Sequence, residues 1–283
     1  MRIIDVHRIE GEKIAEEWKG TSAIAALRQE RLAQVEHERE RIEQELRVAR
    51  SIQQASLPKE VPTLEGWQIS PYYQPAREVG GDFYDFFELG ERRLGVVVGD
   101  ATGKGVPAAL VMASARSMLR AVAQASESPG VVLGRVNDAL VTDIPSNMFV
   151  TCFYAILDPM SGTLSYANAG HDLPYLRHGS DAQELRARGM PLGLMSGMDY
   201  EEGEVSLAEG ECVLFHSDGL VEAHNPKGEM FGFPRLRALV AEHGEERSLG
   251  DFLLEELYSF VGESWEQEDD ITLLTLKRSA SLS

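Results

Sequence analysis

The sequence predicts an α+β fold in which antiparallel sheets are covered by helices, with one long helix placed ahead of them. Three observations carry this. From Ala23 to Leu57 the chain has no glycine or proline and is dominated by Ala, Leu, Glu, Gln and Arg, all strong helix formers. From Trp67 onward, short runs rich in β-branched and aromatic residues alternate with glycine- and proline-bearing breaks. Those runs follow one another at hairpin spacing, and helical stretches are grouped between them rather than alternating strand by strand.

Residues 1–22 are a short, mixed, acidic segment without turn chemistry; a small helix and a tail ordered on contact both fit it. The helix expected over 23–57 would extend roughly 50 Å. Along it Leu32, Val35, Ile42, Leu46 and Ala49 recur at spacings of three and four, with Arg39 as the polar member of the seam. The pattern is a heptad over about three repeats, supported by Glu43 and Arg47 at i,i+4. A stripe of this length cannot be buried by its own helix. A self-associating coiled coil, and hence a homodimer, is expected; packing on the chain's own domain is the alternative. Pro58 and Pro62 end the helix, which makes 58–66 a linker, 67–278 the folded domain and 279–283 a tail.

Within that domain, Trp67 to Tyr73 reads as a strand. Phe83 to Leu89 and Leu94 to Val98 read as a hairpin turning at Gly90-Glu91-Arg92. Pro107 sits in the first turn of a helix running to about Ser126, a position that suits proline, and Val131 to Val141 is a second helix. Phe149 to Leu157, Leu164 to Asn168 and Leu173 to Arg177 are successive strands. Gly203 to Leu207 and Glu211 to His216 are expected to pair antiparallel. Leu236 to His243 and Leu249 to Val261 are amphipathic helices, and Ile271 to Lys277 is the closing strand.

Composition narrows the function classes. The 283 residues carry a formal charge of −19, which disfavours nucleic acid and anionic membrane surfaces as partners. No stretch approaches the roughly 20 apolar residues of a membrane span, and the N-terminus lacks a signal peptide's apolar core, so a cytoplasmic protein without membrane attachment is expected. Cys152 and Cys212 both fall in apolar strand patterns and read as buried free thiols.

The chemistry-bearing pattern is a set of aspartates at strand ends. A hairpin centred on Glu91 sets Asp82 opposite Asp100, at a strand spacing of about 5 Å, unless a bulge shifts the register by one. Asp218 follows the apolar strand ending at His216, and Asp269-Asp270 open the closing strand. Four carboxylate sites on one rim of a sheet suit hard divalent cations such as Mg²⁺ or Mn²⁺, which take oxygen ligands. No His-Cys set at zinc spacing competes, the seven histidines being scattered. Glycines around Asp100 let the backbone fold tightly enough for the Ala101 carbonyl to join as a ligand. Two ions about 3.5–4 Å apart can activate water and clamp a phosphoryl oxygen. Arg77, just before the first cluster, is a candidate for bidentate phosphate binding, with an ordinary surface arginine as the alternative.

Other motif assignments fail on particular residues. The Gly80-Gly81-Asp82 run is similar to that of diguanylate cyclases but continues with Phe-Tyr rather than Glu-Phe. Val98 to Gly105 lacks the first glycine and the final Ser/Thr of a phosphate-binding loop. Ser217-Asp218 has no Gly-x-Ser-x-Gly context.

Taken together, Ala49-Arg50-Ser51-Ile52-Gln53 through Leu57-Pro58, Pro75 through Asp85 and Gly99-Asp100-Ala101-Thr102-Gly103-Lys104-Gly105 form the first half of a composite signature. Asn168-Ala169-Gly170-His171, Gly189 through Gly193, Ser217 through Ala223 and Asp269-Asp270-Ile271-Thr272 complete it. From about Val48 to Lys277 the chain resembles the bacterial PP2C-like SpoIIE/RsbU family of metal-dependent serine/threonine phosphatases. The resemblance implies an α-β-β-α sandwich. It also implies two or more Mn²⁺ or Mg²⁺ ions per site: Asp100 bridges them with the Ala101 carbonyl beside it, Asp218 and Asp269 are direct ligands, and Asp82 binds a metal or its waters. Asp270 stands where eukaryotic relatives have Asn and is expected behind the ligands, as is Lys104. Those relatives carry His two positions after the bridging aspartate; here the position is Thr102, so water or Lys104 would protonate the leaving group. His171 lies in a family motif, with a turn-stabilising role as the alternative. The implied substrate is a phosphoserine or phosphothreonine on a STAS-type anti-sigma factor antagonist. Two other readings stand beside it: a catalytically dead coiled-coil scaffold, against which the intact aspartates count, and a metal phosphohydrolase of small phosphorylated molecules.

Overall fold

The computed structural model describes residues 2–279 except 127, 245, 246 and 264, and side chains from residue 28 onward except residue 91. Helix α1 spans Arg2–Ser56. It begins well before Ala23: residues 2–22 hold no proline, and Gly11 and Gly20 lower helix propensity by about 1 kcal/mol each without ending it. The chain divides into two compact units, Met1–Val48 and Ala49–Ser283. The last turns of α1 therefore belong to the second unit, upstream of the 58–66 segment. Residues 280–283, part of the expected tail, lie outside the described residues.

The second unit contains two five-stranded antiparallel sheets. One has the order β1 (Trp67–Gln74), β10 (Ile271–Arg278), β9 (Cys212–His216), β6 (Tyr175–His178), β7 (Asp181–Glu184). The other runs β2 (Asp82–Glu88), β3 (Leu94–Ala101), β4 (Val150–Asp158), β5 (Thr163–Ala169), β8 (Glu202–Ser206). Side chains alternate across each strand, so each sheet has two faces to bury. Phe86, Val96, Val98, Phe153 and Leu164 meet Val213, Phe215, Leu274 and Leu276 in a core between the sheets. The outer face of the second sheet is covered by α2 (Val106–Ala123) and α3 (Pro129–Asp143), through Met112, Leu119, Leu133 and Leu140. That of the first is covered by α5 (Phe233–Glu242) and α6 (Leu249–Val261), through Leu236, Leu253 and Leu257. The result is the four-layer α-β-β-α sandwich.

The expected pairing of Gly203–Leu207 with Glu211–His216 is wrong. β8 borders β5 in one sheet, whereas β9 lies between β10 and β6 in the other. The cause is legible in the side chains. Exposed Glu202, Glu204 and Ser206 alternate with half-buried residues, as on an edge strand, while all of Cys212–His216 is buried, as in a strand covered on both faces. The run Leu173–Arg177 likewise leaves the β4–β5 hairpin for the other sheet as β6, and β7 and the one-turn helix α4 (Asp218–Val221) carry no marked periodicity in the sequence. Both cysteines are buried and free, as expected.

Helix α2 is apolar and long enough to meet the length-and-composition test for a membrane span, a case the sequence reading passed over. Here its apolar face packs on the sheet through Ala108, Val111, Met112, Ala115 and Leu119. Its polar anchor is Asp85 of β2, fully buried, which accepts from Arg120 Nη2 at 2.6 Å and Nε at 3.2 Å while Arg116 Nε lies 3.0 Å away as an ion pair. Burial pushes the Asp85 carboxyl up and the two guanidiniums pull it back. Removing the acid would leave the mostly buried Arg116 without its counter-charge, while half-exposed Arg120 keeps its bond to the Phe86 carbonyl. Asp85→Ala is therefore expected to lower unfolding free energy by about 3–5 kcal/mol, measured by urea denaturation; a loss below about 1 kcal/mol, the scale of an exposed pair, would show that the pair is not what anchors α2.

Candidate active site

The site begins with the hairpin. Asp82 pairs with Asp100 across β2 and β3 without a bulge, because the three-residue 3₁₀ turn Gly90–Arg92 keeps the strands in simple register. Both lie at the end of the sheet from which the Gly103–Gly105 loop departs into α2. Asp269 and Asp270 arrive from the other sheet immediately before β10, and Asp218 opens α4 immediately after β9. Asp100, Asp218 and Asp269 line one cleft of about 320 Å³, together with Thr102, Lys104, Thr151, His171 and Asp172. Asp82 lies deeper and is buried.

Close approach explains two glycines. A Cβ on Gly81 would stand 2.5 Å from the Ala101 carbonyl oxygen, and one on Gly219 would stand 2.0 Å from that of Asp270. The Asp218-Gly219 pair thus lets α4 touch the segment that bears Asp269 and Asp270. Ala101 itself is buried, its N–H donating to the Gly81 carbonyl at 3.1 Å.

Asp270 is the organiser of the loop before β2. Its Oδ1 accepts from the Ala76 N–H at 2.8 Å, and its Oδ2 from the N–H groups of Gly81 at 2.7 Å and Asp82 at 3.3 Å. Thr272 donates its hydroxyl to Asp82 Oδ2 at 2.6 Å. Ser217 joins the two ends of the site, accepting from the Thr272 N–H at 3.0 Å and donating to the Asp270 carbonyl at 3.3 Å. A further clamp comes from α1. The buried Gln53 side chain donates to the Gly80 carbonyl at 2.7 Å and accepts from the Gly80 N–H at 3.1 Å. Sequence reading assigned no role to Gln53, Ser217 or Thr272, although each lies inside a matched motif.

The carboxylates repel one another. Burial, then the charges of Asp218, Asp269 and Asp270, push Asp100 up to about 7. Burial, then Asp269 and Glu222, push Asp218 up to about 6. Asp82 is raised well above the usual range by burial and by Asp100 and Asp270. Asp172, which sequence reading also missed, is pushed up to about 7 by burial and the charges of Asp218 and Glu222. One cation meets the group directly: Lys104 Nζ lies 2.8 Å from Asp269 Oδ2 and donates to the Glu268 carbonyl at 2.7 Å. Arg77 is exposed and lines a small neighbouring recess with Lys104, Asp269 and Asp270.

An oxygen-only donor set, crowded and short of positive charge, fits a hard divalent cation in its chemistry. Among the described residues, no three ligating side chains are yet gathered closely enough to hold one ion. Asp82 is turned to Thr272, Asp269 to Lys104 and Asp270 to backbone N–H groups.

Two residues are excluded from proton transfer. The Thr102 hydroxyl donates to the Phe149 carbonyl at 2.7 Å and accepts from its N–H at 3.2 Å. His171 is buried and held down to about 3, chiefly by burial, so its ring is neutral, with Thr151 Oγ1 3.0 Å from its Nδ1. Asn168 clamps the His171 main chain at both N–H and carbonyl.

Comparison with known proteins places this geometry. The family model described as Stage II sporulation protein E (SpoIIE) matches residues 90–279. The chain belongs to the SpoIIE family. This SpoIIE-family chain is 32% identical over 265 residues to Protein IcfG of Synechocystis sp., covering 83% of the chain and 42% of IcfG. It is 29% identical over 241 residues to the phosphoserine phosphatase RsbU of Bacillus subtilis, covering 84% of the chain and 71% of RsbU. Its fold matches the SiaA-PP2C domain of Pseudomonas aeruginosa with a TM-score of 0.74 at 28% identity, over 84% of the chain and 98% of that domain. The chain thus spans less than half the length of IcfG.

The Asp270 clasp yields a specific expectation. Asp270→Ala removes both accepting oxygens and leaves the Ala76, Gly81 and Asp82 N–H groups without that acceptor. Each orphaned buried N–H costs about 1–3 kcal/mol, and the Gly80–Asp82 segment should loosen. Amide hydrogen exchange at Gly81 and Asp82 is expected to speed at least tenfold; unchanged exchange would show that Asp270 does not hold the loop.

Proposed function

We propose that this chain is a metal-dependent protein serine/threonine phosphatase acting on a phosphoserine or phosphothreonine of a regulatory protein, a STAS-type anti-sigma factor antagonist. The observation that carries the reading is the convergence of Asp100, Asp218 and Asp269 from two sheets onto one cleft, with buried Asp82 paired to Asp100 behind it. The activity of its relative RsbU as a phosphoserine phosphatase supports it.

Asp82, Asp100, Asp218, Asp269 and the Ala101 carbonyl would hold two or more Mn²⁺ or Mg²⁺ ions. When bound, the ions supply positive charge against phosphoryl oxygens and Lewis acidity that activates water. The remaining roles fall to the chain itself. Thr272 and Asp270 fix Asp82 and its loop, so the carboxylate is held before substrate arrives. Lys104 in the cleft and Arg77 in the adjoining recess offer cations to a phosphate whose approach the acidic surface otherwise opposes. While Asp269 carries no metal, its bond to Lys104 holds that ammonium above the usual lysine range. With Thr102 committed to Phe149 and His171 neutral, water is the better proton source for the leaving oxygen.

Asp100→Asn is expected to cut phosphate release from p-nitrophenyl phosphate and from a phosphorylated STAS protein by far more than tenfold, while leaving the fold intact by circular dichroism. A variant retaining over a tenth of the rate, a barrier change under about 1.4 kcal/mol, would remove Asp100 from its bridging role. Wild-type activity should vanish on chelation and return with Mn²⁺; full turnover at measured zero metal content would overturn the reading.

We further propose that α1 pairs with a second copy of the chain. In the single chain the seam residues Leu32, Val35 and Ile42 are 63%, 59% and 46% exposed, and each would gain roughly 1.5–3 kcal/mol if fully covered. Arg39, at a seam position, is held on the surface by Glu43 at 2.8 Å. Replacing Val35, Ile42 and Leu46 together by Asp should convert a dimer to a monomer in sedimentation equilibrium. A triple variant that sediments as wild type does would refute the pairing.

A further inference from the structure

A second cavity, of about 510 Å³, opens on the outer face of the β1-β10-β9-β6-β7 sheet, at the end remote from Asp269 and Asp270. Strand register builds its floor. Arg177 on β6 pairs with Cys212 on β9, Cys212 with Lys277 on β10, and Lys277 with Gln68 on β1. Four strands thus present one lateral row with two cations in it. Ser70 and Thr275, paired across β1 and β10, add hydroxyls. The roof is formed by His243 after α5 and by Arg247, Ser248 and Leu249 at the start of α6.

Three features mark the cavity as built for an anion. Arg177 is only 9% exposed, and its Nε has no hydrogen-bond partner, although it lines an open cavity. A buried guanidinium N–H left unsatisfied is costly and calls for an acceptor. The N-terminus of α6, a helix of 13 residues, faces the same space, and its N-cap Ser248 makes no side-chain capping bond. First-turn N–H groups and the helix dipole favour negative charge there. Finally, the lining residues among those described include Arg177, Arg247 and Lys277 but no Asp or Glu, in a chain of net charge −19. Arg247 at the rim is paired with Glu255 and lies over Phe252, which leaves Arg177 and Lys277 as the inner pair. Burial holds the buried His243 ring below the usual imidazole range, its contact with the Arg247 carbonyl at 3.0 Å opposes this, and the charges of Arg177, Arg247 and Lys277 add to the lowering.

We propose that this cavity binds a small phosphate-bearing molecule, its phosphoryl group seated among Arg177, Lys277 and the first turn of α6. The volume lies in the range of about 300–1,000 Å³ typical of small-molecule sites, so there is room for more than a lone phosphate. The site is separate from the carboxylate cleft: Ile271 and Lys277 stand near opposite ends of β10, roughly 20 Å apart at about 3.3 Å per residue. The assignment does not depend on the phosphatase reading.

The test titrates inorganic phosphate, pyrophosphate and ATP into the full chain in EDTA by calorimetry. Without divalent ions the aspartate cleft repels anions, so binding there is suppressed. Saturable binding of at least one probe is expected, weakened at least tenfold by Arg177→Gln and by Lys277→Gln, and kept in Arg77→Ala, at the carboxylate cleft. Thermal melts check folding; should Arg177→Gln not fold, the half-buried Lys277→Gln decides alone. The proposal fails if no probe binds the wild-type chain at millimolar concentration, if folded variants bind as tightly as wild type, or if Arg77→Ala abolishes binding.

Discussion

Like charges facing each other across neighbouring strands are the constraint around which this molecule is arranged. Asp82 and Asp100 are paired in register and cannot separate without breaking the β2–β3 ladder. Asp218 and Asp269 are brought to the same cleft by strands of the other sheet. Hydrogen bonds and an ion pair hold several of these acids in place. Asp270 is spent on three backbone donors, Thr272 on Asp82 and Lys104 on Asp269. Some of the carboxylates also move toward their neutral form. Such a cluster lowers stability when nothing positive is present and raises affinity for whatever positive charge arrives. That is the usual exchange at a functional site.

A contrast appears within the single strand β2. Asp85 holds α2 through two arginines at one point on β2, and Asp82, three residues earlier, faces the opposite fate of having acids for neighbours. Both aspartates are buried; what differs is the sign of the charges around them.

Much of this was legible in the sequence, and the remainder was hidden for identifiable reasons. The hairpin register could be read because a three-residue turn leaves few alternatives, and Asp82 opposite Asp100 followed from counting. The positions of Asp218 and Asp269 at strand ends were readable from apolar runs. The sequence reading set all four on one rim of a sheet, whereas they arrive from two sheets, since the outcome depends on which sheet each strand joins. There the assumption that neighbours in sequence pair in space assigned β8 and β9 to one ladder. The Thr272–Asp82 bond joins residues 190 positions apart, and nothing local announces it. Gln53 was read as helix composition, which it is, but its side chain serves a loop 27 residues onward. Short elements such as β7 and α4 have too few residues to express a period.

The placement of Gln53 has a consequence for how such chains can be recombined. The proline-bearing stretch 58–66 looks like the natural seam between an upstream segment and the folded body. Yet a swap made there would discard the residue that satisfies both main-chain groups of Gly80. The body begins at Ala49, inside an unbroken helix. An exchange of upstream modules that preserves the folded body must therefore splice helix to helix, near Val48. Any module grafted onto it must end in helix-forming residues that continue the turn into Ala49.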